Sequence, residues 1–410
     1  MLRSLKPAGW VRVLETGHGW PAAWAWAVLL VVGLRLGLGL LMGLAWSVAR
    51  PYMPAAYLAE TLGPVARGSY GSVIDTALEA WPRWDAVHYL AIAQRGYQGV
   101  SEGDTVFYPL FPVLVRLVGT LLAGDQLVAG LIISTVATTV SLACLHQLAE
   151  PRFGLAAARW SMLALALYPT SFFLLAPFTE SLFLALTLGA FLAAERRRWW
   201  LAGLLGALAS LARGPGLLTV FALGWVAWEQ WRAATPRPGL LSTASLAGAL
   251  ALPVAGGVSF LAWRSALGFA PMAVVLRQYS GLEMVDPLRG LVYALGQFLA
   301  VHDLHTFLDI ASAGLFLALA VVMLRRPRWR VWGWVIFMVA NLAFFLSKHS
   351  LTASSLQSLA RYVLVLFPAF IVLGDWLAGR TARTRFFYVL GSSLGLLVLS
   401  ALYAVGWFIG

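Results

Sequence analysis

Residues 84 to 97 read Trp84-Asp85-Ala86-Val87-His88-Tyr89-Leu90-Ala91-Ile92-Ala93-Gln94-Arg95-Gly96-Tyr97, a polar and aromatic block inside an otherwise strongly apolar chain. Helical spacing puts Asp85, His88 and Tyr89 on one face, and Gly96 supplies a C-terminal stop. A carboxylate at a wet, partly apolar boundary can act as general base toward a hydroxyl within hydrogen-bond reach. Asp85 is the candidate for that task, and it is also a residue type favoured as a helix N-cap. His88 can orient a substrate, share a proton with Asp85, or pack as a neutral imidazole.

Other ionisable residues point to anion chemistry. Arg213, in Ala212-Arg213-Gly214-Pro215-Gly216, and Arg361, before Tyr362, sit at the ends of apolar runs, where a guanidinium can meet an anionic head group or snorkel to the interface. Glu180, in Pro177-Phe178-Thr179-Glu180-Ser181, opens another run as either a site carboxylate or a helix-start residue. Arg35 lies deeper in its run and calls for a buried partner. Glu102-Gly103-Asp104 offers two hard oxygen ligands that could help hold Mg²⁺ or Mn²⁺ beside a phosphate, so a divalent metal is a secondary expectation. His302-Asp303-Leu304-His305 resembles a zinc fragment, but no third ligand group is evident nearby, and it reads as an interfacial loop. Cys144 is the sole cysteine and forms no internal disulfide.

The elements that must carry these residues are membrane helices. The chain is 60% hydrophobic and 11% charged with mean hydropathy +0.80, against about 25% charged for a soluble domain. The net charge of +12 comes from cations grouped in short segments between apolar runs, as expected of cytoplasmic loops, which excludes nucleic acid as a partner. Windows of about 20 apolar residues mark spans near 24–46, 126–148, 159–175, 179–195, 199–213, 216–231, 240–263, 307–324, 331–347, 361–378 and 386–408. The fold class is therefore all-α, a polytopic integral membrane protein with about 11 transmembrane helices in a single domain over 1–410.

Six basic clusters set the orientation: Arg3, Lys6 and Arg12; Arg152 and Arg159; Arg196 to Arg198; Arg232 and Arg237; Arg325 to Arg330; Arg380 to Arg385. If all are cytoplasmic, each segment between them crosses twice, so 107–122 and 289–301 are helices lying in the outer interface rather than spans. The first external loop then runs from about 47 to 125 and holds the Trp84 to Tyr97 block. An external carboxylate, external arginines beside lipid and an aromatic shelf suggest chemistry on a lipid-linked anionic substrate.

The pattern Trp84-Asp85-Ala86, His88-Tyr89, Ile92-Ala93 and Gly96-Tyr97, then Glu102, Phe107-Tyr108-Pro109 and Phe111-Pro112, resembles the PIG-V mannosyltransferase family. Tyr168-Pro169-Thr170-Ser171, Thr179-Glu180-Ser181-Leu182-Phe183, Ala212-Arg213-Gly214-Pro215-Gly216 and Arg361-Tyr362 extend the resemblance over most of the chain. It implies a GT-C-type glycosyltransferase fold with interfacial helices in the first external loop. The implied activity is inverting transfer of a hexose, mannose in this family, from a polyprenyl (dolichyl-type) phosphate sugar to a lipid-linked or glycan acceptor. Asp85 would be the catalytic base, with His88, Tyr89, Glu102, Tyr108 and Glu180 contacting substrate. Arg213 and Arg361 would stabilise the departing phosphate. Short loops and arginine bias look prokaryotic, which places the enzyme in a cell membrane with its site on the extracytoplasmic face, and some relatives work with a small membrane subunit. A polytopic transporter or lipid flippase is the alternative; it would need polar residues distributed through the membrane midplane.

Overall fold

The computed structural model describes residues 17–62, 73–352 and 354–407; Arg3, Lys6 and Arg12 lie outside the described residues. Every expected span contains an α-helix. Five helices are long and apolar enough to cross a membrane: Gly19–Ala49 with its terminal turn, Gln126–Phe153, Leu240–Ala266, Leu304–Arg325 and Ala382–Ala404. A sixth crossing forms if Leu359–Val365 and Phe367–Ala378, which meet at 78°, count as one bent span. The other expected spans are helices of 12 to 16 residues, Leu155–Ala166, Glu180–Glu195, Trp199–Ala212, Thr219–Ala233 and Trp332–Leu346. At about 1.5 Å per residue they reach only about 18–24 Å of a core about 30 Å thick. Proline sets several of these limits: Pro169 and Pro177 bracket the irregular stretch before Glu180, and Pro215 follows Ala212.

The bundle is apolar outside as well as inside. Leu36, Leu40, Leu44 and Val48 form an exposed row four residues apart, while Val31, Leu38, Met42 and Trp46 on the same helix are buried. Such a row is stable where the solvent is hydrocarbon. Between helices, small residues allow close approach. Gly203 packs against the Ala249 carbonyl and Gly256 against the Ala207 backbone, locking Trp199–Ala212 to Leu240–Ala266. Gly374 does the same for Phe367–Ala378 against Ser161.

The two segments assigned to the interface are helices Leu110–Leu121 and Pro287–Val301. The second exposes Leu288, Val292, Leu295 and Leu299 along one stripe and buries Gly290 and Ala294 on another, an amphipathic pattern suited to an interface. One small feature departs from the all-α expectation: strands Leu282–Met284 and Lys348–Ser350 pair antiparallel, with Met284 opposite Lys348. This short ladder ties two segments distant in sequence together beside the polar block.

Candidate active site

The helix Asp85–Arg95 starts where the sequence places it and ends at Gly96, whose φ of 75° suits glycine. Its start is held by distant residues. Buried Arg83 donates from Nη1 to the carbonyls of Glu79 (2.7 Å) and Pro82 (3.0 Å) and from Nη2 to that of Ala404 (2.8 Å). Tyr403 Oη donates to the Trp81 carbonyl at 2.8 Å. Between these anchors Trp84 adopts φ 52°, an uncommon conformation for a residue with a Cβ. Trp84 is thus the N-cap, without a side-chain capping bond, and Asp85 is the first helical residue. The side chain is committed elsewhere.

Arg361 donates from Nη2 to Asp85 Oδ2 at 2.8 Å, and its Nε lies 3.1 Å from Glu180 Oε1. Arg213 Nη1 pairs with the same Glu180 oxygen and donates to Thr179 Oγ1 at 3.1 Å. Glu180, fully buried, is therefore shared by both arginines, and Arg361 is shared by both carboxylates. Lys348 Nζ lies 4.2 Å from the centre of the Tyr362 ring, and Arg213 stacks on that ring at 4.9 Å. Three cations thus face two carboxylates, an excess of one positive charge.

These groups surround a cavity of about 220 Å³ lined by Asp85, Tyr89, Tyr108, Arg213, Lys348, Arg361 and Tyr362. Met272, Leu276, Leu282, Met284 and Phe344 complete the lining with apolar surface. Asp85 is enclosed by protein yet keeps a third of its side-chain surface open. Burial pushes its carboxyl up, but the Arg361, His88 and Arg213 charges outweigh this and hold it below the usual carboxylate range. Burial pushes the Lys348 ammonium down, with Tyr362 opposing. An anion entering the cavity would favour its charged form.

Of the residues singled out in the sequence, Asp85, Tyr89, Tyr108, Arg213 and Arg361 meet at this cavity. Glu180 stands behind it, positioning the two arginines. His88 turns to Asp104, Nδ1 to Oδ1 at 2.6 Å, and stacks on Phe107 at 5.1 Å. His88 and Ser101 hold the Asp104 carboxyl low against the opposing effect of burial. Glu102 accepts from Tyr279 Oη at 3.3 Å and does not line the cavity. Glu102 and Asp104 are thus engaged separately, and among the described residues no group of three or more His, Cys, Asp or Glu could hold a metal ion. The loop expected at His302-Asp303-Leu304-His305 is only a two-residue junction: His302 ends one helix, Asp303 caps the next by accepting from Thr306 N, and Leu304 and His305 form its first turn, where His305 faces Asp309 at 3.6 Å. Arg35 finds carbonyls instead of a carboxylate: Nη2 donates to Leu175 O at 2.7 Å and Leu131 O at 3.2 Å, over the Trp81 ring.

Sequence reasoning missed Lys348 as a lining group, Arg83 as the anchor of the helix start, and Thr179 as the Arg213 acceptor. Lys348 carried a signal, since it is one of only two lysines among 29 basic residues.

The fold and cavity define a multi-pass helical membrane protein with an enclosed carboxylate set beside a cluster of cations. The chain matches the family described as Mannosyltransferase (PIG-V) over residues 28–233, half its length, and belongs to that family. That region contains Asp85, His88, Tyr89, Glu102, Tyr108, Glu180 and Arg213, but not Lys348 or Arg361. The chain is similar to GPI alpha-1,6-mannosyltransferase 2 of Rattus norvegicus, 34% identical over 37% of this chain and 33% of the relative. It is similar to the Homo sapiens protein of the same name, 33% identical over 37% and 33%, and to GPI mannosyltransferase 2 of Cryptococcus neoformans, 30% identical over 34% and 35%. The chain thus spans about a third of the length of these curated relatives. No solved structure matches it.

Proposed function

We propose that this protein transfers a mannosyl unit from a polyprenyl-phosphate sugar to a hydroxyl of a lipid-linked or glycan acceptor. The observation that carries this reading is the meeting of the Asp85 carboxylate with Arg213, Lys348 and Arg361 around one cavity. A polyprenyl phosphodiester brings one negative charge, which matches the excess positive charge of the surrounding groups. In the reaction the acceptor oxygen attacks the anomeric carbon, and its proton passes to Asp85. The carbon–oxygen bond to phosphate breaks, and its electron pair leaves on the phosphate. The phosphate gains one negative charge as Asp85 loses one, so the cluster keeps its net charge balance. Attack from the side opposite the leaving group inverts the anomeric centre.

The apolar wall of Met272, Leu276, Leu282, Met284 and Phe344 suits the first isoprene units of such a donor. Tyr89 and Tyr108 offer ring faces to the sugar. In this reading His88, joined to Asp104, and Glu102, joined to Tyr279, shape the acceptor side. The arginine-rich loops lie at the other end of the helices, which supports an extracytoplasmic site in a prokaryotic cell membrane. A small membrane subunit is a further partner in this reading.

The test is mass-spectrometric product detection with purified protein in nanodiscs, supplied with polyprenyl-phosphate mannose and a lipid extract. A hexose adduct is expected from the wild type and not from Asp85→Asn. Donor binding without any adduct from any acceptor pool would refute the transferase reading.

A further inference from the structure

The Thr219–Ala233 helix leaves the active-site region just after Arg213–Leu218 and runs 15 residues, about 22 Å, toward the opposite face. At its far end lies a second cavity of about 620 Å³, lined by Trp225, Trp228, Glu229, Arg232, Ala233 and Trp332. Nothing in the proposed transfer uses it.

Its chemistry is that of a zwitterion receptor. Trp225 and Trp228 have ring centroids 4.8 Å apart with planes inclined at 53°, and Trp332 lies 6.0 Å from Trp225 at 50°. Three indoles with inclined planes make a partial box. Indole faces attract an ammonium, and a carboxylate beside them completes the recognition. Glu229 is that carboxylate, and among the described residues it has no ion-pair partner. Arg232 stacks on Trp228 at 4.5 Å and leaves its guanidinium edge for a phosphate. The Trp225 indole N–H is buried without a hydrogen-bond partner. The Trp332–Leu346 helix opens at the cavity with no side-chain cap, so its first backbone N–H groups add positive potential.

We propose that this cavity binds the headgroup of a bilayer aminophospholipid, its primary ammonium among the indoles and Glu229 and its phosphate at Arg232. A membrane lipid is the occupant because the helix bearing the cavity presents an apolar flank: Phe221 and Trp228, two turns apart, are both exposed and can carry acyl chains. Glu229 accounts for the preference for a primary amine over trimethylammonium, since only the former donates hydrogen bonds to it.

The test is native mass spectrometry of the delipidated full-length protein titrated with phosphatidylethanolamine, phosphatidylcholine and phosphatidylglycerol of matched chains. We expect phosphatidylethanolamine to be retained about tenfold more tightly than either other lipid, about 1.4 kcal/mol in binding. Glu229→Gln and Trp228→Leu should each abolish that preference while the melting temperature and distal donor binding stay as in the wild type. Equal or tighter retention of phosphatidylglycerol would make this an anion site and overturn the proposal, as would a preference that survives Glu229→Gln. Displacement of bound lipid by equimolar soluble phosphoethanolamine would overturn the assignment to a bilayer lipid.

Discussion

Replacing Asp85 by asparagine removes a negative charge at the point where Arg361 is divided between two carboxylates. In the wild type Arg361 Nη2 is bonded to Asp85 at 2.8 Å while Nε faces Glu180 at 3.1 Å. Asp85 therefore competes with an incoming phosphate for the guanidinium. A carboxylate about 8 Å from that phosphate repels it by about 2 kcal/mol at an effective dielectric constant of about 20. The one-third exposure of the Asp85 side chain screens this to about 1 kcal/mol, roughly fivefold in Kd. Asp85→Asn should thus bind polyprenyl-phosphate mannose about fivefold more tightly. It should also lose turnover by about 10²–10⁴, because asparagine cannot take the acceptor proton. Glu180 remains as counter-ion to Arg361, so the fold should hold. Donor affinity by scintillation proximity and single-turnover rates by mass spectrometry, on the same nanodisc preparation, separate the two effects. Weakened donor binding in this variant would refute the competition argument, and retained turnover would refute the base.

The same competition predicts a pH effect. Because the free Asp85 carboxyl is held low, it stays ionised until pH falls below the ordinary carboxylate range. The acid limb of kcat/KM should therefore lie below the ordinary carboxylate range. Once donor phosphate draws Arg361 away, Asp85 loses part of that support, so the acid limb of kcat should lie higher; coincident limbs would argue against it. Glu180→Gln leaves Arg213 and Arg361 short of a buried counter-charge and should destabilise the protein by about 3–5 kcal/mol, read as a large drop in melting temperature; unchanged stability would show that Glu180 does not hold the arginines. Gly203→Ala places a methyl against the Ala249 carbonyl and should cost about 1–3 kcal/mol by separating two helices. A melting temperature equal to the wild type would show that this contact yields freely.

The class of protein was legible because hydrophobicity is a local, additive signal. The runs of apolar residues gave every helix that forms the bundle, and the Trp84 to Tyr97 block stood out because polar residues are costly near lipid. Gly96 and Pro215 marked real helix ends, since backbone conformation depends on the residues on the spot. Arg213 and Arg361 were visible as charges at the margins of apolar runs. Helix lengths were less legible: stretches counted as spans proved shorter once Pro169 and Pro177 broke the backbone pattern.

Pairing was not readable at all. Asp85 and Arg361 are 276 residues apart, Arg83 and Ala404 321. Glu180 appeared as one more helix-start carboxylate, and only the packed bundle makes it the shared counter-ion of two arginines. Lys348 reaches the cavity because a three-residue strand pairs with Leu282–Met284, a contact with no periodic trace in either segment. His88 and Asp85 share a helix face, yet Asp104 draws the imidazole away. The sequence by itself determined that this chain is a helical membrane protein and which residues are too polar to be idle, because those follow from transfer energies of single residues. The tertiary structure decided which of them face one another, because a Coulomb or hydrogen-bond partner is fixed by distance in space and not by spacing along the chain.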